Sequence, residues 1–139
     1  MTTATDTTTP APITVDDALA ALRAAVEAKG GHYVYPKRPI GVHGRACVYA
    51  TDDGQPSCLA GYVLAALAPD ILADVADRER TERGFGADII DNVYPGRFAA
   101  DVAIILGIAQ RSQDAGNAWA VALADAEREA AELAKEDDE

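Results

Sequence analysis

Residues 14–31 read TVDDALAALRAAVEAKGG, and this stretch sets the terms for the rest of the chain. Thr14 followed three residues later by Asp17 has the spacing of a capping box, in which each side chain takes up a backbone N–H the helix cannot pair internally. Val15, Leu19, Leu22 and Val26 then recur at intervals of four, three and four, which puts them on one helical face. Lys29 supplies positive charge in the last turn, and Gly30-Gly31 supplies the left-handed conformation that stops a helix. The stretch therefore predicts a first helix whose apolar face, Val15, Leu19, Leu22 and Val26, needs other elements to cover it.

The rest of the composition agrees with helices packing on helices. Aromatic residues make up 6% of a chain that is 49% hydrophobic, and alanine supplies much of the apolar share, which favours close helix contacts over a sandwich of β-branched and aromatic strands. A length of 139 residues suits one domain. We place that domain at 13–134, with a disordered tail at 1–12 rich in Thr, Ala and Pro, and an acidic tail at 135–139.

Beyond the first helix, His32 to Tyr35 ends at Pro36, and Arg45 to Thr51 is again rich in β-favouring residues; together they predict an antiparallel hairpin. The Pro36–Gly44 connection is long for a hairpin and carries Lys37 and Arg38, candidate partner-binding residues. After the Asp52-Asp53-Gly54 turn, Ser57 is placed to cap a helix bearing Leu59, Val63, Ala66 and Leu67, and Gly61 within it suggests close approach by a neighbouring backbone. Pro69 opens a further helix with Ile71, Leu72 and Val75 inward. Ile89, Ile90 and Val93 suggest a short apolar helix before the Pro95-Gly96 turn. Phe98, Val102, Ile105 and Ala109 mark a buried helix, and Trp119, Leu123, Ala126, Ala130 and Leu133 mark a last one starting near Asn117. The expected fold class is thus α+β: mainly helical, about five helices, with a short two-stranded antiparallel β element.

The net charge is −11. Residues 125–139 hold eight acids and two bases, giving −6, so more than half the excess lies at the C-terminal end. Phosphate repels such a surface, which disfavours nucleic acid as a partner. The longest apolar stretch, Val102 to Ala109, is about half of what a membrane-spanning helix needs. The first dozen residues lack the basic start and apolar core of a secretory signal. With two cysteines only, a cytoplasmic location with free thiols is expected.

Four residues carry metal or nucleophile chemistry: His32, His43, Cys47 and Cys58, all within one 27-residue window. Two imidazoles and two thiolates suit tetrahedral zinc, but only His43 and Cys47 have the close spacing zinc ligands usually show. Cys58 follows Gln55-Pro56-Ser57 in the first turn of a helix, where the dipole lowers a thiol pKa, and His32 or His43 would then serve as base. The segment superficially looks like the cysteine-to-helix start of papain-like and cell-wall amidase families, yet those take their histidine from a sheet after the cysteine, where this chain reads as helix. A metal- or thiol-dependent enzyme is therefore the alternative reading. The plainer one makes Cys58 an inert core thiol and expects no cofactor.

Two stretches, GQPSCLAGYVL (54–64) and AQRSQDAGNAWAVAL (109–123), resemble small proteins of unknown function from actinobacteria and their bacteriophages, over about a fifth of the chain. The resemblance implies no catalytic residue. Physically, the second stretch reads as a helical corner with Gly116 as stop, Asn117 as cap and Trp119 at the elbow. Gln110, Gln113, Asp114 and Trp119 are candidates to bind a partner there, or else to hydrogen-bond the corner's loose backbone groups. The functional expectation is a non-enzymatic, phage-related accessory protein that acts by protein–protein interaction, as a host-modulating factor or virion component. Its C-terminal helix could also pair with a second copy.

Overall fold

A computed structural model of the chain describes residues 11–36, 49–51, 54–81 and 87–137. Among them are six α-helices: α1 (Val15–Lys29), α2 (Leu59–Leu67), α3 (Pro69–Arg80), α4 (Ile90–Val93), α5 (Ala100–Asp114) and α6 (Trp119–Asp137). A 3-10 turn, Ala87–Ile89, leads into α4. No described helix is long and apolar enough to cross a membrane.

Helix α1 forms for the reasons its sequence gives. The Thr14 hydroxyl accepts the Asp17 N–H and the Asp17 carboxylate accepts the Thr14 N–H, each at 3.1 Å, and Gly30 ends the helix at φ 93°. Leu22, Leu19 and Val26 are buried. Helix α5 lies at the centre, packed on α1, α2, α4 and α6; Val102, Ile105, Leu106 and Ala109 on it are all but inaccessible. Pro69 occupies the first turn of α3, where its missing N–H costs nothing. Arg97, in the turn before α5, grips Asp70 with two guanidinium nitrogens at 2.8 and 3.1 Å, and this neighbour holds the Asp70 carboxyl below its ordinary value. Close by, the Tyr94 hydroxyl donates to Asp74 at 2.7 Å. Burial, then the Asp74 carboxylate, push the Tyr94 phenol up to about 12.

The expected two-stranded β element is absent: the described residues contain no strand, only isolated bridges between Ile13 and Phe98 and between Ala50 and Pro56. Residues 45–48 of the second expected strand, and most of the 36–44 connection, lie outside the described residues. The physical reason for the miss at His32–Tyr35 is visible in its hydrogen bonds. The Gly31 carbonyl accepts the Ala120 N–H at 3.0 Å and the Tyr33 carbonyl accepts the Trp119 N–H at 2.8 Å. The segment caps the N-terminus of α6, whose first N–H groups have no partner within the helix, instead of forming a ladder. The β-favouring Tyr33 and Tyr35 are there for their side chains: Tyr33 packs edge-on to Trp119 at 4.8 Å between ring centroids, and the Tyr35 hydroxyl meets the Ser57 hydroxyl at 2.9 Å.

The last half of the chain needs one smaller correction. Asn117 does not cap α6 through its side chain; its amide donates back to the Ser112 hydroxyl at 3.0 Å. The expected turns at Gly96 (φ 83°) and Gly116 (φ 96°) are present. The expected close approach at Gly61 is also real: a Cβ there would run into the backbone carbonyl of Tyr49.

Candidate functional site

The two stretches 54–64 and 109–123 meet in space where α2 begins against the end of α5. Gln110 and Gln113 are three residues apart on α5 and so share a face, and that face is buried. Helix α2 starts after Cys58 with no capping side chain of its own; Ser57, expected as its cap, instead meets Tyr35. The Gln113 side-chain oxygen accepts the Leu59 N–H at 2.8 Å, and that of Gln110 accepts the Ala60 N–H at 3.4 Å. Two glutamines from a distant helix thus satisfy the orphan donors at the start of α2 and set their carbonyl dipoles against its positive end.

Cys58 lies beneath this arrangement. It is fully buried, and its Sγ faces the Gln110 amide nitrogen at 3.5 Å. A thiol enclosed this way packs as a small apolar group, and the geometry leaves no approach for a substrate. His32 is exposed in the turn after α1. His43 and Cys47, like Lys37 and Arg38, lie outside the described residues. Among the described residues, no three His, Cys, Asp or Glu side chains gather as a metal site would require.

Trp119, proposed above as a contact for a partner, is fully buried. Tyr33 and Tyr62 both present edges to it, the second at 5.6 Å, and the Lys29 ammonium sits over the Tyr33 ring at 4.9 Å. The indole Nε1 has no hydrogen-bond partner among the described residues. Asp114 is exposed and receives the Gln113 amide at 3.0 Å. Of the four corner candidates, the structure therefore turns Gln110, Gln113 and Trp119 inward and leaves Asp114 at the surface.

Two clefts open on α6 instead. The first, of about 410 Å³, lies between α5 and α6. Its Ser112 hydroxyl donates to Asp125 at 2.8 Å, and Arg128 reaches the other oxygen of the same carboxylate at 3.1 Å, so these three side chains close on one another, while Arg111 and Glu129 also line the cleft. The second, of about 390 Å³, lies between α1 and the C-terminal half of α6. Val15, Leu19, Ala130 and Leu133 line its apolar floor, Arg23 and Glu127 are ion-paired at 2.8 Å, and Asp16 and Asp101 also border it. Val15, Leu19, Ala130 and Leu133 belong to the core-facing stripes their spacing predicts, with Leu19 buried and the other three partly buried against the core; that they also floor a groove depends on how α1 and α6 meet, which spacing does not reveal.

Comparison with protein-family models, with curated proteins and with solved structures finds no match.

Proposed function

We propose that this protein is a non-enzymatic accessory protein that acts by binding another protein. The observation that carries this reading is the use made of the two motif stretches: Gln110 and Gln113 are committed to the backbone of α2, and Cys58 is sealed beneath them. The two glutamines hold helices together and the one candidate nucleophile is enclosed, while an apolar groove stands open on α6. A phage-related role, as host-modulating factor or virion component, rests on the resemblance of residues 54–64 and 109–123 to small actinobacterial and phage proteins.

The test is affinity capture from host lysate with cross-linking and mass spectrometry. One partner recovered in stoichiometric amount is the expected result. Recovery of none would overturn the reading, and turnover of a small molecule by the purified protein would then favour the enzyme alternative.

A further inference from the structure

The groove between α1 and α6 has an apolar floor and an acidic border. Three acids, Asp16, Asp101 and Glu127, and one base, Arg23, line it. Arg23 is tied to Glu127 at 2.8 Å, which leaves the charges of Asp16 and Asp101 without an ion-pair partner among the described residues. Both sit in the first turn of a helix, where the dipole tolerates a negative charge and leaves it available to a neighbour in solvent. The helix forming one wall continues into the most acidic part of the chain, residues 125–139, at −6.

Size and charge together narrow what fits. A void of roughly 150 Å³ holds a benzene ring, so about 390 Å³ receives two apolar side chains of medium size. A second copy of this chain would bring its own −11 against the acidic border, a juxtaposition that costs affinity. A cationic segment gains instead, both in encounter rate and in register.

We infer that the groove formed by Val15, Leu19, Ala130 and Leu133 is the docking site for a basic amphipathic segment of a partner protein, which inserts apolar side chains and sets lysine or arginine against Asp16 and Asp101. This rests on the protein-binding reading above and names its surface and the chemistry of its partner.

The test uses the full chain and a synthetic amphipathic peptide with leucine on one face and lysine on the other, followed by fluorescence anisotropy. Ala131 is exposed and lines the groove, whereas Ala124 is exposed on the same helix outside it. Ala131→Arg and Ala124→Arg therefore add the same charge at different places. Ala131→Arg is expected to weaken peptide binding at least about tenfold and Ala124→Arg less than about twofold, with binding falling as salt rises. Equal effects of the two variants, or equal binding of a peptide with glutamate in place of lysine, would overturn the assignment. So would a concentration-dependent dimer abolished by Ala131→Arg, which gives the groove to a second copy. The same variants as baits in host lysate separate this inference from the broader one. A partner lost only with Ala131→Arg supports both, a partner kept by all three baits refutes the groove and preserves protein binding, and no partner with the wild type refutes both.

Discussion

The side-chain oxygen of Gln113 accepts the backbone N–H of Leu59 at 2.8 Å across 54 residues of sequence. Both groups are buried, so neither can turn to water if the other is removed. Gln113→Ala leaves a buried donor unsatisfied and a cavity beside it, and should cost about 2–4 kcal/mol of folding stability. Gln110→Ala, which removes a longer bond, should cost about 1–2 kcal/mol. Urea unfolding at unchanged slope measures both; a loss for Gln113→Ala no greater than that of an exposed helix residue would contradict the capping role.

Gly61→Ala separates helix propensity from packing. In an exposed helix interior the change would gain roughly 1 kcal/mol. Here the added methyl meets the Tyr49 carbonyl, whose carbon lies 3.1 Å from where the Cβ would stand. Overpacking against backbone costs about 1–3 kcal/mol, so the variant should unfold at lower urea concentration than the wild type. A stabilised variant would show that Tyr49 does not press on α2.

Tyr94 predicts an alkaline response. Its folded-state phenol is held at about 12 against an ordinary 10.0, so between these values the unfolded chain releases a proton that the folded chain keeps. The stabilisation is fully present below pH 10 and is lost as pH rises through about 12. Burial is the larger cause and Asp74 the next, hence Asp74→Asn should bring the phenol part of the way back toward 10. Tyrosinate absorbance, with Tyr94→Phe subtracted, reads this among the chain's five tyrosines. An unmoved titration in Asp74→Asn would contradict the hydrogen bond.

Cys58 predicts chemical silence. In a Cys47→Ser variant it is the sole thiol of a two-cysteine chain, and its full burial should protect it from maleimide at neutral pH until urea unfolds the protein. Fast labelling of the native variant would reopen the thiol-enzyme reading.

What could be read from the sequence divides by the range of the interaction. The capping box at Thr14 and Asp17, the stop at Gly30 and the stripe Val102, Ile105 and Ala109 are local patterns, and each has the structure its spacing implies; Phe98, expected on the same helix, is buried but lies before α5 in a bridge to Ile13. The segment His32 to Tyr35 misled because its residue types favour strands while its carbonyls serve α6, a partner that no local pattern reveals. The glutamines are visible as unusual polar residues in an apolar helix, but their bonds to Leu59 and Ala60 span 54 and 50 positions and leave no trace in spacing. The groove is harder still, since its walls belong to opposite ends of the chain and are joined at Arg23 and Glu127.

Motif residues that hold the fold and the groove proposed to receive a partner occupy different parts of the molecule, and one paired measurement separates their roles. Unfolding free energy and affinity for the leucine–lysine peptide are measured on Gln113→Ala and Ala131→Arg. Gln113→Ala should lose about 2–4 kcal/mol of stability and, while folded, bind the peptide as the wild type does. Ala131→Arg should keep its stability to within about 0.5 kcal/mol and lose peptide binding. The reverse pattern, with binding lost in folded Gln113→Ala and kept in Ala131→Arg, would contradict that separation of roles.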